Sequence, residues 1–282
     1  MLISPEKFKR WRRYFCPVCG HVEWLAIDQE LPQNYSCPLC GVNRNSMLAI
    51  DDPRLAKHSI EFEELSPGFW RTKKKPLFPA DYNHFSYILA HPDGLILYDA
   101  PPLITSAAIE KVLKLGIPRL LVVSHQDFVG FASDWAELLN IPILMGDKEI
   151  PLPGNQIEPT EIIKEDRKLA LDLEIIFAPG HSPGSLALYW DNQNGSKILC
   201  AGDILTVWHH KNSQIQLAIF QDPPVGKAIK ELLLRPTSLL ATCTGILKDP
   251  SERLKELTKE PIQDKCAKPW RGDKGGIWFE GN

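Results

Sequence analysis

The sequence lacks any apolar run that approaches the ~20 residues needed to span a bilayer. Its N-terminal segment has no apolar core and no small-residue cleavage site, so we expect no secretory signal. A net charge of only −3 leaves no global field that would attract nucleic acid or an anionic membrane. We find no internal repeat. The composition, 44% hydrophobic and 24% charged, is typical of a globular protein, and we expect a cytoplasmic location.

Two Cys-x-x-Cys-Gly knuckles, at residues 16–20 and 37–41, stand near the N-terminus. A reducing compartment favours thiol–metal sites over disulfides. Each knuckle can bind one ion with both of its sulfurs, which predicts a tetrahedral four-thiolate site. Its predicted ligands are Cys16, Cys19, Cys37 and Cys40. Four thiolates accept either zinc, which makes a structural ribbon, or iron, which makes a one-electron relay. The knuckles resemble rubredoxin, in the short form found on rubrerythrin-like proteins, and this resemblance favours iron.

The rest of the chain alternates between strand-like and helix-like patterns, which predicts a layered α/β architecture. Strands are predicted at 60–65, 85–90, 95–99, 120–123, 141–145, 173–177, 186–190, 199–202 and 238–242, and helices at 105–115, 132–139, 227–234 and 252–257. Three of the predicted strands are followed closely by a His or an Asp. His125 and Asp127 follow strand 120–123, His181 follows strand 173–177, and Asp203 follows strand 199–202. Packed strands fix such groups while the loops leave room for substrate, so we predict a site there.

The P-G-H-S-P-G-S run at 179–185 and the A-G-D run at 201–203 resemble the third and fourth metal motifs of the metallo-β-lactamase superfamily. The S-H-Q-D run at 124–127 stands where that superfamily carries T-H-x-H-x-D-H. The resemblance spans roughly residues 59 to 250 and implies an αββα sandwich with a metal site. It also implies that Asp99 orients a metal ligand.

Two alignments of the first motif remain open. In the preferred one, His125 is the first ligand, Asp127 replaces the second His, and Val129 and Gly130 replace the Asp-His pair. In the other, residues 127–130 match D-H-x-G and His125 becomes the second ligand. Both leave the second metal position without most of its ligands, which argues against a di-zinc hydrolase.

The turn after the predicted strand 238–242 has no His where the superfamily carries its last ligand. Cys243 stands in that turn, where the last ligand is expected, and is a candidate substitute thiolate. The remaining ligand set serves one ion: His125, Asp127, His181 and Asp203. Imidazoles and carboxylates with open positions suit non-haem iron(II), and they also suit zinc with a bound water. Persulfide dioxygenases, a branch of the superfamily, are similar in holding a single iron.

We therefore expect a mononuclear-iron oxidoreductase that receives electrons from the four-thiolate iron, with Asp127, His181 and Asp203 as candidate catalytic residues. One alternative is a mononuclear zinc hydrolase of thioesters or esters, and another is an inactive binding or scaffold protein. The expected partners are a small-molecule substrate, an acidic electron carrier docked on the basic residues of 7–13 unless these are merely solvated, and a second copy in a homodimer. The predicted divisions are a rubredoxin-like domain at 1–45, a linker at 46–58, the metallo-β-lactamase-like domain at 59–265 and a C-terminal tail at 266–282.

Overall fold

The computed structural model describes residues 5–57, 60–74, 85–149, 157–192, 194–209, 215–219 and 227–257. The predicted C-terminal tail at 266–282 lies outside these residues. Within the described ranges, none of the helices combines the length and the apolar character that crossing a membrane requires.

The N-terminal segment forms a small antiparallel sheet. Its strands are β1 (Trp11–Phe15), β2 (Val22–Ala26) and β3 (Leu48–Ala49), in the order β2-β1-β3. The first cysteine knuckle connects β1 to β2, and the second lies between β2 and β3. Strand β3 falls within the segment predicted as a linker, and it joins the sheet because Leu48 is an apolar side chain buried beside Phe15.

The next part of the chain forms a seven-stranded mixed sheet and two helices. The strands are β4 (Ile60–Ser66), β5 (Phe69–Lys74), β6 (Ser86–His91), β7 (Gly94–Tyr98), β8 (Pro118–Val123), β9 (Ile143–Gly146) and β10 (Glu161–Ile163), and the helices are α1 (Ser106–Leu115) and α2 (Ala132–Leu139). The strand order is β10-β9-β8-β7-β6-β5-β4. Strands β7 to β10 are parallel to one another, so their carboxyl ends meet at one edge.

A second sheet has six strands. In chain order the elements are β11 (Arg167–Lys168), β12 (Leu173–Phe177), β13 (Leu186–Asp191), β14 (Lys197–Gly202), the hairpin β15 (Leu205–His209) and β16 (Ile215–Ile219), α3 (Lys227–Leu234), β17 (Leu239–Thr242), β18 (Ile246–Lys248) and α4 (Ser251–Leu257). The order in the sheet is β11-β12-β13-β14-β17-β18, with the hairpin separate from it.

The two large sheets face each other across a common core. Tyr98 and Val122 of the first sheet pack with Leu188 and Cys200 of the second. Helices α1 and α2 cover the outer face of the first sheet, and α3 and α4 cover that of the second. This arrangement is the αββα sandwich predicted from the sequence, and that prediction is confirmed.

The small N-terminal sheet packs against α2. The rings of Phe15 and Phe131 lie 5.7 Å apart. The fully buried guanidinium of Arg13 donates to both carboxylate oxygens of Asp134, at 2.8 and 2.9 Å, and lies over the ring of Trp24 at 4.4 Å. A charge pair in this setting is stable only while both partners remain, because each alone would be an uncompensated buried charge.

We expect Arg13→Ala to lower the free energy of unfolding by about 3–5 kcal/mol, because it leaves the Asp134 carboxylate buried without its partner. The control Arg12→Ala removes a neighbouring arginine whose ion pair with Glu30 is exposed, and it should cost far less. Urea unfolding followed by tryptophan fluorescence measures both. Equal effects of the two substitutions would contradict the anchoring role of the buried pair.

Candidate metal centre

Loops from both sheets meet at one edge of the sandwich. Because β7 and β8 are parallel neighbours, Asp99 and His125 follow their carboxyl ends at the same edge. Asp203 follows β14 of the other sheet, and His181 lies in the connection between β12 and β13. The site therefore depends on how the two sheets pack and not on one sheet alone.

The structure brings together the four side chains predicted as ligands of a single ion, His125, Asp127, His181 and Asp203. His125 Nε2 lies 3.3 Å from Asp203 Oδ2 and 3.7 Å from Asp127 Oδ2. His181 Nε2 lies 3.8 and 3.9 Å from the same two oxygens. Tetrahedral zinc with bonds of about 2.0–2.1 Å places its ligand atoms about 3.3 Å apart. The observed distances between the ligand atoms fit one ion if they shorten slightly when the ion binds.

The imidazole of His125 is 1% exposed, and its Nε2 makes no hydrogen bond with any described residue. Its Nδ1 lies 2.9 Å from Ser124 Oγ, which leaves Nε2 facing the carboxylates. Burial lowers the pKa of His125, but Asp127 and Asp203 outweigh it and raise that pKa well above its ordinary value. Burial raises the pKa of Asp127, but the two imidazoles outweigh it and hold that pKa below its usual range. The cluster therefore favours an added positive charge, which a divalent cation supplies.

Asp99 holds the loop that carries His125. Its Oδ1 accepts a hydrogen bond from the Ser124 backbone N–H at 2.7 Å. Its backbone lies in the left-handed region, at φ 61°, and burial raises its pKa to about 7. The contact supports the orienting role that the resemblance implies for Asp99.

Cys243 contacts the side of Asp203 that faces away from the imidazoles. The buried Cys243 Sγ donates to Asp203 Oδ1, whereas Oδ2 of the same carboxylate faces His125 and His181. In this arrangement Cys243 contacts the outer oxygen of Asp203 and leaves the other oxygen to the imidazoles. The Phe128 ring stands edge-on to His125, with centroids 4.8 Å apart.

The four cysteines form a second cluster, with the ligand atoms all within 4.8 Å of one another. The Sγ atoms of Cys16 and Cys40 are 3.5 Å apart, and those of Cys19 and Cys37 are 3.6 Å apart. Tetrahedral zinc with bonds of about 2.3 Å places its sulfurs about 3.8 Å apart. Hydrogen bonds from the other three thiols hold the pKa of Cys16 well below its ordinary range, which favours a thiolate. The four clustered cysteines fit a rubredoxin-like knot.

The two clusters border one cavity. Cys19 and Gly20 line it from the N-terminal sheet, and Asp127 lines it from the His/Asp cluster. A Cβ atom at Gly130, where φ is 35°, would lie 3.3 Å from the carbonyl oxygen of Gly20, so glycine allows the knuckle to approach this loop. The remaining lining residues are Phe85, Ser86, Ala100, Pro102, Phe128 and Phe131.

Sequence reasoning did not identify Glu149, which the structure places between the His125 and His181 loops. A usable signal existed, because β9 is the parallel neighbour of β8 and its carboxyl end falls at the same edge of the sheet.

The basic N-terminal residues were identified from the sequence, but several of them form ion pairs within the chain: Lys7 with Glu137, Arg12 with Glu30 and Arg13 with Asp134. An acidic electron carrier docked on them remains a prediction.

No protein-family model matches the chain. It is 26% identical over 212 residues to the uncharacterized protein YmaE of Bacillus subtilis (strain 168), a match that covers 71% of this chain and 74% of that protein. It is 34% identical over 114 residues to the probable metallo-hydrolase YybB of the same organism, a match that covers 35% of this chain and 50% of that protein.

Solved structures share the fold. The structure of VMB-1 matches with a TM-score of 0.53 and 16% identity, covering 70% of this chain and 94% of that chain. The structure of the DIM-1 metallo-β-lactamase exposed to ceftazidime matches with a TM-score of 0.50 and 12% identity, covering 71% and 98%. The chain has the metallo-β-lactamase fold, as the resemblance of its motifs predicted. It carries within that fold a His/Asp cluster and, at the N-terminus, a four-cysteine cluster.

We expect His181→Ala to remove the ion of the His/Asp cluster and to leave the ion of the four cysteines, because only the first cluster loses a ligand. Cys37→Ser should have the reciprocal effect. Elemental analysis of each purified variant, normalised to protein concentration, measures the loss, and far-UV circular dichroism checks the fold. A His181→Ala protein that keeps the full metal content of the wild type would contradict the assignment.

Proposed function

We propose that the chain is a metal-dependent hydrolase whose His/Asp cluster holds one ion and cleaves an ester or a thioester. The observation that carries this proposal is the buried Nε2 of His125, which faces two carboxylates at the spacing of a single-ion site. The similarity to YybB, a probable metallo-hydrolase, supports hydrolysis over other chemistry. Zinc bound in such a site polarises a carbonyl group and lowers the pKa of a bound water to about 7.

The protein groups around the ion have separable roles in this proposal. His125 and His181 would hold the ion through Nε2, and Asp203 would hold it through the oxygen that faces the two imidazoles. Asp127 is the member of the cluster that lines the cavity. Its carboxylate is therefore placed either to complete the ligand set or to accept a proton from the attacking water.

Three aromatic side chains, Phe85, Phe128 and Phe131, line the cavity together with Asp127. A part of the substrate that reaches this cavity would therefore meet a mainly apolar surface beside the carboxylate.

A second candidate is a mononuclear-iron oxidoreductase. The observation in its favour is that Cys19 of the four-cysteine cluster and Asp127 of the His/Asp cluster line the same cavity. With iron in both clusters, single electrons would pass between neighbouring sites without a separate carrier domain. Two imidazoles and carboxylates with open positions are also ligands that non-haem iron(II) accepts.

We expect the protein, purified without added metal, to hydrolyse short acyl thioesters and nitrophenyl esters. Removing the metal with a chelator, or substituting His181 with Ala, should lower kcat/KM by about 100-fold or more, because the ion supplies several kcal/mol of transition-state stabilisation. Zinc added back should restore the chelated wild type but not the variant.

The same preparation separates the alternatives. Iron in both clusters, with a thiolate-to-iron absorption band that bleaches on reduction and oxygen consumption in the presence of persulfides, would favour the oxidoreductase. A His/Asp cluster that holds no ion, in a protein without either activity, would contradict both candidates and favour a binding protein.

A further inference from the structure

We propose that Glu149 is a positioning residue that ties together the two loops carrying the imidazole ligands. These are the first metal loop, residues 124–128, and the second metal loop, residues 178–185. The inference rests on the proposed single-ion site and adds to it a residue that sets the distance between His125 and His181.

The carboxylate of Glu149 bonds beside each imidazole ligand. Its Oε2 accepts the backbone N–H of Gln126, next to His125, at 2.7 Å. Its Oε1 accepts the backbone N–H of Gly184 at 2.7 Å and the hydroxyl of Ser182, next to His181. Hydrogen bonds to an ionised carboxylate are stronger than bonds between neutral groups, so one side chain holds both loops firmly.

The backbone is shaped for this contact. A Cβ atom at Gly146 would overlap the carbonyl oxygen of Gly184, and a Cβ atom at Gly184 would overlap that of Asp147. The segment that delivers Glu149 therefore lies directly on the second metal loop, and glycine at both points permits the approach. Ser185 Oγ accepts the N–H of Ser182 at 3.0 Å and closes that loop on itself.

The tie is needed because the two loops belong to different sheets. The first metal loop follows β8, and the second connects β12 and β13 of the other sheet, so no ladder of strand hydrogen bonds fixes their separation. The N–H of Leu186, the first residue of β13, donates to the carbonyl oxygen of Ser124 at 2.8 Å, which joins the first metal loop to the end of the second at one point. Glu149 joins them at a second point, and two points fix the orientation as well as the distance.

Glu149→Gln tests this role because an amide has one acceptor oxygen, and its NH2 group would face a backbone N–H that it cannot accept. We expect the affinity of the His/Asp cluster for zinc to fall by about 10- to 100-fold while the four-cysteine ion is retained. Glu149→Asp, which keeps both oxygens on a shorter arm, should lie between wild type and Glu149→Gln. Exposed Glu165 provides the matched control, Glu165→Gln.

Zinc titration against a competing chelator, with the four-cysteine site loaded, measures the affinities. Retention of the four-cysteine ion and an unchanged circular dichroism spectrum show that each variant is folded. An affinity of Glu149→Gln equal to that of wild type would overturn the proposal. A wild type that binds no zinc in the His/Asp cluster would instead contradict the proposed function.

Amide hydrogen exchange tests Glu149 independently of any ion in the His/Asp cluster. In Glu149→Gln we expect at least one of the Gln126 and Gly184 amides to exchange about tenfold faster than in wild type, because glutamine keeps only one of the two acceptor oxygens. Glu165→Gln should leave both rates unchanged. Unchanged rates at both amides in Glu149→Gln would overturn the proposal, whatever metal the wild type binds.

Discussion

The cluster of two imidazoles and two carboxylates is the constraint on which the rest of this edge of the sandwich depends. Buried His125 faces Asp127 and Asp203 at less than 4 Å, so positive charge in the cluster is favoured because it offsets the two carboxylates. Hydrogen bonds from surrounding residues hold these four side chains in position. Asp99 bonds the loop of His125, Cys243 bonds the outer oxygen of Asp203, and Glu149 bonds both imidazole loops.

The N-terminal sheet that carries the four cysteines forms part of the cavity beside the His/Asp cluster. Arg13 and Phe15 fasten it to α2, and this attachment brings the first knuckle to the rim of the cavity that Asp127 lines. A small sheet whose cluster consists of thiolates gains much of its stability from the ion it binds. An ion bound by the four cysteines, zinc or iron, would therefore help to shape the cavity beside the His/Asp cluster.

Local signals predicted much of the fold. Helix α1 lies within the range predicted for it: Thr105 precedes it and its side-chain oxygen accepts the N–H of Ala108 as an N-cap, and Gly116 follows its last residue. Strands β12 and β13 were found because apolar runs flank a turn rich in Pro and Gly. The His and Asp residues that follow predicted strands were also identified from the sequence, and the structure brings these four side chains together.

Contacts between distant parts of the chain were not predictable in this way. Arg13 and Asp134 are separated by 121 residues, and Glu149 lies 35 residues before Gly184, so no periodic pattern links them. Cys243 was noticed only because it stands where a ligand was expected, and its bond to Asp203 required the packing of β14 against β17. The identity of each ion also lies beyond sequence patterns, because the same donor sets accept zinc and iron.

Anomalous diffraction from crystals of protein purified without added metal, recorded at the zinc and iron absorption edges, tests the central claim most directly. The account predicts one anomalous peak among the four cysteine sulfurs and one peak between the Nε2 atoms of His125 and His181, within bonding distance of Asp203. Two peaks in the sandwich, or none there beside an occupied four-cysteine cluster, would contradict it.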